Sequence, residues 1–175
     1  MITEFIKYKS EIDIPEIKKL CDLAVKVEIS KRRVQRSIDR GFLYIKDFER
    51  MQSLFERFIY LLLASLRGLC PAGTNIEPLK KDFEKVLSFS EYDKRRLIDE
   101  LRVQPTNFPM VNLYILRVDN ILHSFFLDVL EGMRKVKRRA LAKEFVLGVY
   151  KRRGIKPGPE VLKGFMRREE GESGV

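Results

Sequence analysis

Cysteine, histidine and tryptophan are nearly missing from this chain, and each shortage excludes a class of chemistry. The two cysteines, Cys21 and Cys70, are too few for a disulfide framework, and no C-x-x-C or Cys/His cluster is present to hold zinc. With His123 as the single histidine, a His-based triad or a two-His metal centre has little to work with. No glycine-rich phosphate loop of the Walker or dinucleotide type occurs. Long apolar runs are absent too. The stretches 58–66 and 110–130 are too short, or too interrupted by Arg117, Asp119 and Asp128, to span a bilayer. Met1 to Ser10 carries two lysines and a glutamate and no apolar run, so no signal peptide is visible. These absences predict a protein that uses no cofactor or metal, is not an enzyme and has no membrane partner. They place it inside a cell, as a soluble protein. Asparagine and glutamine together number only seven, a bias that points to a hyperthermophile source.

Basic residues are what the chain has in excess. Its 35 Lys and Arg against 25 Asp and Glu leave +10 at pH 7. That balance favours a polyanion as partner. The excess is uneven. Residues 1–40 sum to +3, residues 41–103 to +1 and residues 104–175 to +6. Within the last segment, residues 133–168 hold thirteen basic groups against Glu144 and Glu160. Arg134/Arg138 and Lys135/Arg139 place like charges four residues apart on a helix, a local penalty that a facing polyanion removes. A solvated basic face is the alternative. Arginine is prominent here, and its planar fork grips phosphate oxygens in pairs. The predicted phosphate contacts are therefore Arg134, Lys135, Lys137, Arg138, Arg139, Lys143, Lys151, Arg152, Arg153 and Lys156.

Apolar spacing predicts an all-α fold: a helical bundle with an N-terminal helix-turn-helix-like hairpin and a basic C-terminal helical region. Asp13-Ile14-Pro15-Glu16 reads as a helix start, with Ile17, Leu20, Leu23, Ala24 and Val27 inward. Ser30 is expected to cap a second helix, Lys31 to Arg40, closed by Gly41. The clearest stripe is Phe48, Met51, Phe55, Phe58, Leu62 and Leu66, ended by Gly68 and Pro71. Further helices are expected from Leu79 to Leu87, from the Ser90 capping sequence to Val103, and from Pro109 to about Arg139, with Gly132 a candidate break. Only 42–45 hints at a strand. A linker at 154–159 precedes a short helix, Glu160 to Arg168, and a polar tail. The segments divide as 1–41, 42–153 and 154–175.

Residues Glu16 to Ile38 resemble the helix-turn-helix of transcription regulators. Ala24 is small where two helices would cross, Val27 and Ile29 would flank the turn, and Val34 and Ile38 would face inward. The run Ser30 to Gly41 is similar to the recognition helix of excisionase-type DNA-binding domains. The resemblance implies that Lys31, Arg32, Arg33, Gln35 and Arg36 face DNA. The same spacing also fits two antiparallel core helices with a basic outer face. In size, charge and helix content the chain resembles the all-helical coat proteins that sheathe DNA in filamentous viruses of hyperthermophilic archaea. That class implies a DNA-binding structural protein that coats duplex DNA together with further copies of itself or a homologous subunit. The alternatives are a dimeric helix-turn-helix regulator and a scaffold subunit of a ribonucleoprotein.

Among single residues, His123 is expected in the core or an interface, and Cys21 and Cys70 as small buried hydrophobes. Asp119, Asp128 and Glu131 are expected to be solvated or paired with basic residues. Phe42, Tyr44 and Phe48 are candidates for stacking on bases.

Overall fold

The amphipathic stripes close into seven helices in a computed structural model, which describes residues 3, 5–6, 11–135 and 141–173; the side chains of 134, 135, 172 and 173 are not part of that description. The helices are α1 (Pro15–Asp39), α2 (Ile45–Leu69), α3 (Glu77–Leu87), α4 (Glu91–Val103), α5 (Pro109–Lys135), α6 (Leu141–Arg152) and α7 (Pro159–Ser173). No strand occurs among the described residues, and 42–45 is the loop between α1 and α2 with the first turn of α2.

The N-terminal region departs most from expectation. Residues 15–39 form one helix of 25 residues, and no turn interrupts it at 28–30. The reason lies in Glu28 and Lys31. The buried stripe of Ile17, Leu20, Ala24, Val27 and Val34 runs straight through them, and both are themselves buried. Glu28 meets Lys31 at 2.9 Å and Arg32 at 2.9 Å, pairs at i,i+3 and i,i+4 that exist only on a continuous helix. Glu28 also lacks the freedom of a turn glycine. Ser30 is therefore a buried mid-helix residue and caps nothing, while Ile29 points outward at 57% exposure instead of plugging a turn. The helix starts one residue later than the sequence suggests: Ile14 is the N-cap and Pro15 the first helical residue, as proline's fixed φ favours.

Its C-terminus behaves as expected. Gly41 at φ +85° allows a Schellman closure, with Gly41 N–H donating to Ile38 C=O at 2.8 Å and Phe42 N–H to Ser37 C=O at 3.1 Å. The short return makes α1 and α2 antiparallel neighbours, and theirs is the most extensive helix contact in the molecule.

α2 buries the expected stripe. It runs one residue past Gly68 before Pro71. Its last carbonyls accept from α7: Arg168 donates to Leu69 C=O at 3.0 Å and to Cys70 C=O at 3.1 Å. Ser90 caps α4 by accepting from Asp93 N–H at 3.1 Å. Glu100, buried near the end of α4, caps the next helix. Its carboxylate accepts from Met110 N–H at 2.7 Å and Val111 N–H at 3.0 Å, which satisfies two orphan donors and places a negative charge at the positive end of α5.

Gly132 does not break α5; it lets Leu141 approach, since a Cβ there would lie 2.8 Å from that side chain. α7 continues five residues beyond the expected Arg168, through the acidic part of the tail. Two aromatic clusters fill the middle. Phe125 packs on Phe5, Phe58, Phe126 and Phe145, and Tyr114 on Phe48, Phe55 and Phe89. The buried apolar core extends without a gap from Phe5 to Phe165.

Candidate nucleic-acid interface

Three cations of the basic C-terminal stretch are tied to acids. Lys143 and Arg152 of α6, and Arg153 just after it, face three different helices. Lys143 meets Glu169 of α7 at 3.0 Å, and Arg153 pairs with Asp82 of α3 while its guanidinium lies 5.0 Å from the Phe83 ring centre. Arg152 donates to Asp128 of α5 at 2.6 Å and reaches Glu131 at 3.1 Å. These three predicted phosphate contacts are interhelical links in the fold.

The Asp128 carboxylate at this junction is almost wholly buried. Burial pushes its pKa up to about 6, with the Arg152 guanidinium pulling the other way and Glu131 adding to the rise. Gly148 leaves room for it, since a Cβ at that position would sit 2.8 Å from Asp128 Oδ1.

Part of α1 is paired in the same way. Lys31 is buried between Glu28 and Asp119 of α5, and Arg32 is held by Glu28. Both cations balance a buried acid. Arg33 is exposed and lies 3.9 Å from Asp47, a loose pair. Arg36, Lys151 and Lys156 are exposed and have no ion-pair partner among the described residues. Arg134 and Lys135 lie on the last turn of α5, and their side chains, with Lys137, Arg138 and Arg139, fall outside the described residues.

A different basic surface emerges once α1 is continuous. Lys19, Lys26, Arg33 and Arg40 follow one another at seven-residue spacing and are all exposed. Seven residues are close to two helical turns, so the four line one side of α1 over about 31 Å. On the neighbouring α2, Lys46, Arg50 and Arg57 occupy one face by the same periodicity, and they too are exposed. The two faces meet in a groove of about 210 Å³ lined by Lys26, Ile29, Ser30 and Arg33 of α1 and by Arg50 and Leu54 of α2. Lys19, Lys26, Arg40, Lys46, Arg50 and Arg57 have no carboxylate partner among the described residues. Asp22 and Asp47 are the acids on this side, and both are half-buried. A helix-turn-helix reading hides the row, because a turn at 28–30 would rotate Lys19 and Lys26 away from Arg33 and Arg40. The seven-residue repeat was the available signal.

The remaining candidates settle simply. His123 is exposed on α5, not in the core, beside Glu28, Arg32 and Asp119 in an open depression of about 260 Å³. Cys21 and Cys70 are buried, and burial raises the Cys70 thiol to about 11 despite nearby Arg168. Phe48 is core, whereas Phe42 and Tyr44 are exposed. Among the described residues no group of three or more His, Cys, Asp or Glu is placed to hold a metal ion, and no helix is long and apolar enough to cross a membrane.

No family model matches the chain, and no curated protein or solved structure shows significant similarity to it.

Proposed function

We propose that this chain is a structural nucleic-acid-binding protein that holds the phosphate backbone of duplex DNA without reading its sequence. The observation that carries the reading is the row of exposed cations on α1 and α2, of which only Arg33 has a carboxylate partner, a loose one, among the described residues. Charges that a fold needs for itself are buried or matched with acids, as Lys31 and Arg152 are. Lys26 and Arg50 are neither, yet they share one groove with Arg33. The row extends over about 31 Å, comparable with one turn of duplex, and a rigid helix pair presents it. Phosphate contacts of this kind give affinity and orientation but carry no sequence information.

A packaging or coat role, in a virion or on a chromosome, fits the same features. The net charge of +10 is available to neutralise a polyanion. Exposed apolar side chains on other faces, Leu116 of α5 and Leu162 and Met166 of α7, offer surface for neighbouring copies. The reading requires no cofactor and no catalysis. The turn on which a helix-turn-helix regulator depends is replaced by continuous helix, so a sequence-reading dimer lacks its structural basis.

The test is electron microscopy of the protein mixed with random-sequence duplex, alongside titrations at several salt concentrations. Continuous regular filaments, similar affinity for unrelated sequences and a steep fall with salt are expected. Discrete particles on one site, or binding indifferent to salt, would overturn it. A strong preference for RNA would move the face to a ribonucleoprotein.

A further inference from the structure

We infer that the tip of the α1–α2 hairpin is a stacking site for an unpaired nucleobase. The inference deepens the backbone-binding reading and rests on it. Phe42 and Tyr44 are 37% and 58% exposed and lie edge to face, with ring centres 4.9 Å apart and planes at 84°. Two neighbouring aromatic rings open to water are costly unless something covers them.

The backbone holds them there. The Schellman closure at Gly41 positions Phe42, and Tyr44 is the N-cap of α2. Between them Leu43 is buried, and its N–H donates to the Gln104 side-chain oxygen at 3.0 Å. Gln104 adopts the left-handed conformation at φ 52°, the only non-glycine among the described residues to do so. Its side chain also donates to Leu101 C=O at 3.2 Å. A disfavoured backbone state is thus maintained at a residue that anchors the loop. The chain alternates outward, inward and outward at 42, 43 and 44, so neither ring can fold back onto the core while Leu43 is seated.

The surroundings select the occupant. Arg40 precedes the tip by two residues and ends the α1 cation row, and Lys46 follows Tyr44 by two residues and begins the α2 row. An aromatic platform at the end of a basic track is how proteins hold single strands: cations follow the phosphates while bases stack on rings. A purely apolar partner would gain nothing from the flanking charges. The ligand is therefore an unstacked base in a single strand, at a duplex end or at a junction, continuous with the backbone that α1 and α2 grip.

The full-length chain is titrated with a labelled oligothymidylate and, separately, with a long duplex fragment. The Phe42→Ala/Tyr44→Ala variant is expected to lose about 10-fold or more in affinity for the oligothymidylate, with duplex affinity unchanged. Phe42→Leu, which keeps apolar bulk without a ring, should also lose single-strand binding, and Tyr44→Phe, which keeps the ring, should bind like wild type. Equal losses on both ligands, no loss on either, or a change only in sedimentation would overturn the stacking site, the last assigning the tip to contacts between copies. If the wild type binds neither ligand at low salt, the backbone reading itself falls. A wild type that binds duplex with a steep salt dependence, and variants with undiminished oligothymidylate affinity, would sink only the stacking site.

Discussion

Arg152 Nε donates to the Asp128 carboxylate at 2.6 Å across the α5–α6 contact, and the same guanidinium reaches Glu131 at 3.1 Å. One basic residue of the C-terminal stretch thereby balances two acids, one of them almost fully buried. Removing one partner of such a pair leaves an uncompensated charge and typically costs about 3–5 kcal/mol. Arg152→Met should destabilise the fold by that order at pH 8, measured by chemical denaturation, and by less at pH 5, where Asp128 can take a proton. A loss that is the same at both values would mean that Asp128 is not the group left exposed to the cost.

The pH dependence of the intact protein has a defined sign at this residue. Burial raises Asp128 from 3.8 to about 6, so the folded state holds its proton more tightly than the unfolded chain. The resulting stabilisation is full below about pH 4 and is lost as pH rises through about 6. Asp128→Asn removes that dependence. The difference in melting temperature between wild type and Asp128→Asn, followed from pH 4 to pH 8, should shift in favour of the variant as pH rises. A constant difference would contradict the raised pKa.

Substitutions in the cation rows separate binding from folding. Lys26→Ala, Arg33→Ala and Arg50→Ala together should reduce the slope of log affinity against log salt by about 3 for any duplex sequence. Their exposed positions predict a stability change within about 0.5 kcal/mol. Lys31→Met should do the reverse, destabilising the fold because Asp119 would lose its cation and the buried Glu28 would keep only Arg32. An unchanged slope in the triple variant would remove the groove from the interface.

Tyr114 offers a test of the core. Its hydroxyl is buried among Phe48, Phe55 and Phe89 and has no hydrogen-bond partner among the described residues, and burial raises its pKa well above the usual tyrosine value. A buried unsatisfied group costs about 1–3 kcal/mol. Tyr114→Phe should therefore stabilise the protein by about 1 kcal/mol or more in urea denaturation. A loss of stability would show that the hydroxyl has a partner.

Much of the helical framework was legible from local pattern. The α2 stripe, the Ser90 cap and the Gly41 closure are short-range features, in which spacing and capping residues act within a few positions of one another. The turn expected at 28–30 shows where such reasoning stops. Ser30 and the basic run after it have the local composition of a helix start, but Glu28 and Lys31 are buried as a pair, and Lys31 is also held by the exposed Asp119, 88 residues away. The extension of α7 likewise has a distant partner, since its Glu169 meets Lys143 of α6.

Composition and apolar periodicity alone determined that the protein is helical, basic and poor in catalytic side chains, because those properties depend only on which residues are present and on spacings within a turn or two. Which cations are free was decided by tertiary structure alone. A guanidinium such as that of Arg152 is consumed or left available according to the acid that folding brings within a few ångströms, and that acid comes from another helix. The charge was therefore visible in the chain, but the exposed basic surface of α1 and α2 exists only after the helices have packed.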